Sequence, residues 1–164
     1  MSATKTALVF ALLLCQAGAA QEKAAPRKLA PRASGDVLEG VLKDLDLTFK
    51  KETDKGGAQG YVFQRGDTRI RLLNYNGEDL WIEAVFDKPL TLAQANQWNV
   101  QAKYTRCVLL DNDGKATVSL EMQLDCIKGV TPGMIRQFLI HFGGELREFQ
   151  IYAGKEKPKD KKSK

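Results

Sequence analysis

The 164 residues include one histidine, three cysteines and five prolines, and no apolar run reaches the roughly 20 residues of a membrane helix. Each scarcity excludes something. With His141 as the only histidine a zinc site is poorly supported, and neither Ser119 nor a cysteine has a base that could be placed beside it for nucleophilic catalysis. Few prolines and 27% charged residues exclude collagen-like and low-complexity chains. Gly56-Gly57 is not followed by the Lys-Ser/Thr of a phosphate loop. Asp111-Asn112-Asp113-Gly114 lacks the alternating ligands and closing Glu of a calcium loop, so it reads as a turn. No catalytic residue, metal or cofactor is expected.

What is present begins with charge. The net +5 is unevenly spread. Lys5, the stretch 21–35 (Lys23, Arg27, Lys28 and Arg32 against Glu22) and residues 155–164 (six lysines against Glu156 and Asp160) carry +8 in all, which leaves −3 on residues 36–154. Nucleic-acid binding calls for a basic stripe on a fold, and here the excess lies on flanking segments. A nucleic-acid partner is therefore not expected. The lysine-rich end, 153–164, reads as a solvated tail with at most a weak electrostatic contact to anionic envelope surfaces.

Residues 1–20 combine Lys5, the apolar run Ala7–Leu14 and the small-residue step Ala17-Gly18-Ala19, the pattern of a cleavable export signal. Leu14 before Cys15 is too large for lipoprotein processing. The expected location is periplasmic or secreted, with no transmembrane helix after signal removal. Residues 21–35, mixing Ala, Pro and charge without periodicity, read as a linker ahead of a domain over 36–152.

In that domain, Val37, Leu38, Val41, Leu42 and Leu45 stripe a first helix, with Ser34 or Asp36 as its cap. Leu47–Thr53 has the character of an edge strand. Period-two segments follow at Tyr61–Arg65, Thr68–Tyr75 and Asp79–Asp87, joined by Gly66-Asp67 and Asn76-Gly77 turns. A helix at Leu92–Trp98, a hairpin of Lys103–Asp111 with Lys115–Ile127, and a helix from Thr131-Pro132 to Phe142 complete the pattern. Gly143-Gly144 should fray or break that helix before Glu145–Tyr152 adds a last amphipathic piece, and His141 should face solvent. The fold class is α+β: a two-layer arrangement, an antiparallel sheet covered by helices on one face, in the order α-β-β-β-α-β-β-α. The hairpin register places residue 107 opposite residue 120, so Cys126 lies about 20 Å along its strand from Cys107's partner, too far for a disulfide.

The cluster Ala95-Asn96-Gln97-Trp98-Asn99, then Arg106, Asp111-Asn112-Asp113-Gly114, the run Leu120–Leu124 and Gly129-Val130-Thr131 before a helix resemble the YbjN-domain family of bacterial sensory transduction regulators over about residues 36–150. The resemblance implies a fold similar to type III secretion chaperones, without an established enzymatic activity. The export signal and lysine-rich end depart from the family's commoner cytoplasmic form.

Two readings of the cluster stand side by side. Leu92, Ala95 and Trp98 at i, i+3 and i+6 would point a helix at the sheet, with Asn99 closing it. Alternatively, Asn96, Trp98, Asn99 and Arg106 form a partner-binding patch. The functional expectation is a non-catalytic exported protein-binding module, chaperone-like or a sensory accessory, with a protein partner or a homodimer. The alternative is a small enzyme or ligand carrier with a polar pocket near Trp98, Arg106 and Glu121.

Export is tested by the mass of the protein isolated from its source bacterium. Loss of about 20 residues is expected, and a chain that still begins at Met1 would refute the signal.

Overall fold

The computed structural model describes residues 32–87, 90–112 and 115–154. The expected signal peptide, linker residues 21–31, the Asp113-Gly114 tip and residues 155–164 lie outside the described residues.

Helix α1 spans Gly35–Asp44, and Ser34 Oγ accepts from the Val37 amide at its N-terminus. Leu38, Val41 and Leu42 are its buried face. Four strands follow: β1 (Phe49–Thr53), β2 (Gln59–Arg65), β3 (Thr68–Tyr75) and β4 (Asp79–Phe86). Helix α2 (Leu92–Gln101), strands β5 (Arg106–Asn112) and β6 (Lys115–Asp125) and helix α3 (Pro132–Gly154) complete the chain. The expected order holds, with the edge segment forming β1 ahead of the three anticipated strands. All pairings are antiparallel, and the sheet runs β1-β2-β3-β4-β6-β5.

Period-two alternation decides which face is covered. Tyr61 and Phe63, Ile70 and Leu72, Leu80, Ile82 and Ala84, Cys107, and Val118 and Leu120 enter one core with buried residues of all three helices. Their neighbours in sequence point to the other face. All three helices thus lie on one side of the sheet.

The domain starts earlier than the composition suggests. Ala33 is fully buried, its amide donates to the Gly77 carbonyl (2.9 Å), and its carbonyl accepts from Asn74 Nδ2 (2.8 Å). Residues 32–35 of the expected linker therefore belong to the fold. Asn76 and Gly77 both have positive φ (57° and 76°), as a tight hairpin requires, and a Cβ on Gly77 would crowd Arg32 and Ala33.

Three expectations change. Helix α3 runs unbroken through Gly143-Gly144. Phe142, Leu146 and Phe149 are buried on either side of the glycines, at about 1.5–3 kcal/mol each, which exceeds the roughly 1 kcal/mol that each glycine costs a helix. Gly143 also lets the Arg65 guanidinium lie against the helix where a Cβ would stand. The helix carries on to Gly154, so Ala153, buried, belongs to the domain and not to the tail. Half-buried His141 stacks on Tyr104, with ring centroids 3.9 Å apart and planes 7° from parallel.

Gly144 has nothing within 4 Å of a built Cβ. In an unbroken helix, Gly144→Ala should stabilise the domain by about 0.5–1 kcal/mol, read as a higher denaturation midpoint. A lowered midpoint would mean that the glycine interrupts the helix.

Candidate functional site

Thr91 and Gln94 start α2 with a reciprocal capping box. Ala95 and Trp98 then face inward, while Leu92 is 68% exposed and does not join them. Trp98 packs edge-on against Phe149 (centroids 4.9 Å apart), lies near Tyr152 (5.6 Å) and donates Nε1–H to Thr105 Oγ1 (3.3 Å). At 2% exposure it is a core residue.

Asn99 stays within the helix and does not close it in a left-handed turn. Its amide instead meets both backbone groups of Cys107: Oδ1 accepts from the N–H (2.6 Å) and Nδ2 donates to the C=O (3.0 Å). The side chain thus imitates a neighbouring strand and occupies that stretch of the β5 edge. Asn96 is exposed on the outer side of α2.

Arg106 lies elsewhere. Cys107 enters the core, so Arg106 projects from the opposite face of the sheet, opposite Glu121 as the register predicted. Its Nε donates to Glu121 Oε2 (3.2 Å), and its guanidinium lies 4.9 Å from the Trp81 ring centroid. The patch of Asn96, Trp98, Asn99 and Arg106 is therefore divided by the sheet. A pocket shared by Trp98, Arg106 and Glu121 does not form: the groove of about 510 Å³ beside Trp98 is lined by Gln101, Ala102, Lys103, Glu145, Glu148, Ile151 and Tyr152.

The open face has an order of its own. Across neighbouring strands, Arg71, Glu83, Glu121 and Arg106 stand in one row. Arg71 binds Glu83 at 2.7 Å and Asp54 at 3.3 Å, with Glu52 at 3.9 Å. Burial works against the Arg71 charge, but these carboxylates outweigh it and hold its pKa above the ordinary value. Trp81, half-buried, sits between Leu73 and Gln123, and Gln123 donates to Asp79. Val85 is 47% exposed.

Sequence reasoning missed Trp81, although its alternation with Leu80 and Ile82 already sends it to the second face. It also missed Glu145, which the expected helix break concealed. Glu145 accepts from the amides of Lys103 (2.9 Å), Tyr104 (3.0 Å) and Thr105 (2.7 Å), and from Thr105 Oγ1 (2.6 Å). Burial raises its pKa, but the Thr105 hydroxyl and the three amides more than reverse that and hold it below the usual carboxylate range.

Neither Cys107 nor Cys126 is activated as a nucleophile. Cys107 and Cys126 are buried free thiols. Burial, then the charge of Glu121, pushes Cys107 up to about 11; burial, then Asp79 and Asp125, does the same for Cys126. Among the described residues, no group of three or more His, Cys, Asp or Glu side chains could hold a metal ion.

Glu145→Ala should cost about 1–3 kcal/mol at pH 7, since four donors lose a charged acceptor. A depressed folded-state pKa gives stability that is complete above the unfolded value and fades as pH falls through the folded one. The gap between parent and variant should therefore shrink below about pH 4 in denaturation series. A gap that does not depend on pH would contradict the ionised anchor.

No curated protein matches the chain in sequence. Among solved structures it is similar to E. coli YbjN, "a putative transcription regulator", with 15% identity and a TM-score of 0.59 over 77% of this chain and 92% of that one. It is also similar to the Yersinia pestis type III secretion chaperone SycH, solved in complex with a stable fragment of YscM2, with 19% identity and a TM-score of 0.47 over 73% of this chain and 98% of that one. Residues 34–150 match the family described as "Putative bacterial sensory transduction regulator", which takes in both the helix-covered core and the open face, and the chain belongs to this YbjN family.

Proposed function

We propose that the protein is an exported, non-catalytic YbjN-type module that binds a protein partner, or a second copy of itself, through the open face of its sheet, in a chaperone-like or sensory-accessory role. One observation carries this reading: the face opposite the three helices presents Trp81 beneath the Arg106 guanidinium, with exposed Val85 on the same strand. Trp and Arg are the residue types that dominate protein-binding hot spots, and ordered charge pairs around them give specificity. The family description as a regulator agrees with a role exercised through a partner.

Crosslinking and proximity labelling in the source bacterium should recover a specific partner. Trp81→Ala should weaken that complex by about 2 kcal/mol, near 30-fold. Val85→Arg, at an exposed position, should weaken it without changing the melting temperature. A strict monomer with no partner at native concentration, or a complex indifferent to both variants, would overturn the proposal.

A further inference from the structure

The two edges of the sheet differ. Asn99 occupies part of the β5 edge, whereas among the described residues no strand pairs with the outer side of β1, and a groove of about 760 Å³ follows it from Asp46 to Glu52. The ladder decides which backbone groups point into that groove. Asp54 N–H donates to the Ala58 carbonyl (2.8 Å), and in the same register Glu52 opposes Gly60 and Lys50 opposes Val62. Hydrogen-bonded pairs alternate along an antiparallel ladder, so Glu52 and Lys50 bond β2 while Phe49, Lys51 and Thr53 turn their N–H and C=O groups outward.

An open edge accepts another strand unless proline, a bulge or charge discourages it. β1 has neither proline nor a bulge in its pairing with β2. Its charges are selective. On the helix side, Lys51 Nζ is bound by Glu39 of α1 at 2.6 Å. On the open side stand exposed Lys50 and half-buried Glu52, which reaches Arg69 at 3.3 Å. Laid antiparallel to a second copy about a two-fold axis at Lys51, the sequence Phe-Lys-Lys-Glu-Thr sets Lys50 of each copy opposite Glu52 of the other. These are non-hydrogen-bonded positions, where side chains stand closest. The outward groups of Phe49, Lys51 and Thr53 meet those of Thr53, Lys51 and Phe49 of the second copy, and each Lys51 keeps its own Glu39. A slip that preserves the core faces sets Lys50 opposite Lys50, or Glu52 opposite Glu52, so charge selects the centred register.

We infer that the outer edge of β1 pairs with β1 of a second copy of the chain, joining two sheets into one across a two-fold axis at Lys51. Such a contact is isologous and uses up both β1 edges, so the assembly closes as a dimer. The axis is perpendicular to the sheet. Both sets of helices therefore lie on one side, and both open faces, with Trp81 and Val85, lie together on the other. The inference does not rest on the open-face reading, which it leaves available in each copy. A five-residue edge is short, and a dissociation constant on the order of micromolar is expected.

The test is sedimentation equilibrium of residues 21–164, which contain every described residue, over a range of concentrations. A reversible monomer–dimer equilibrium is expected. Lys50→Glu, at an exposed position, sets like charges opposite each other twice and should weaken the dimer about tenfold at an unchanged melting temperature of the dilute protein. Glu52→Lys should do the same, and a mixture of the two variants should associate about as well as the parent, because each pair is then again of opposite sign. Thr53→Pro removes an outward N–H without touching the β1–β2 ladder and should abolish the dimer. A monomer at every concentration up to about 0.1 mM overturns the inference. So does a dimer indifferent to both Lys50→Glu and Thr53→Pro; if Val85→Arg dissolves that dimer, the contact belongs to the open face. Folded charge variants that fail to associate with each other would also overturn it.

Discussion

The rest of the molecule depends on α3 remaining one helix of 23 residues. Two adjacent glycines near its middle favour a break, and burial of Phe142, Leu146 and Phe149 outweighs them. The balance is local, but its effects are distributed. The first half of the helix carries Leu139 and Phe142 toward the α1 side of the core, and the second half carries Phe149 and Tyr152 against Trp98. A break at residue 143 would separate these two packings, and α2 would lose its aromatic neighbours.

Continuity also fixes Glu145 two positions beyond Gly143, where it holds the chain from Lys103 to Thr105 just before β5 begins. That carboxylate and the Asn99 amide act in sequence along the chain. Glu145 secures the approach to the strand, and Asn99 occupies both backbone groups of Cys107 on its outer edge. This stretch of an edge strand is thus closed by side chains, where another sheet would use a further strand.

The strands were legible because alternation is a short-range signal. Val118 to Leu124 and Leu80 to Phe86 declare their buried face without knowledge of anything else, and Asn76-Gly77 and the 107–120 register follow from turn chemistry. Distant partners were not legible. Trp98 was readable as an inward residue, but Asn99 looked like a helix terminator because its partner, the Cys107 backbone, is on another element. Arg106 looked like part of the same patch because eight residues separate it from Trp98 in sequence. A single step of strand alternation sends Cys107 inward and Arg106 to the far face, and no motif spacing encodes that. The glycine pair misled for a related reason. Local propensity favours a break, whereas the burial that overrules it comes from residues on α2, β2 and β4.

The same alternation constrains what the open face can recognise. In the row Arg71, Glu83, Glu121, Arg106, each arginine already has a carboxylate, so the formal charges cancel. Such a row gives little long-range attraction to a charged partner. A partner that broke a pair would leave a charge uncompensated as water is excluded, and Glu121, already 7% exposed, has least solvent to replace Arg106. Recognition must therefore keep the pairs and add to them, taking its affinity from apolar area over Trp81 and Val85 and its selectivity from donors and acceptors that match the row. A partner surface that is itself highly charged is poorly suited to this face; one with an apolar centre and a mixed polar border satisfies it.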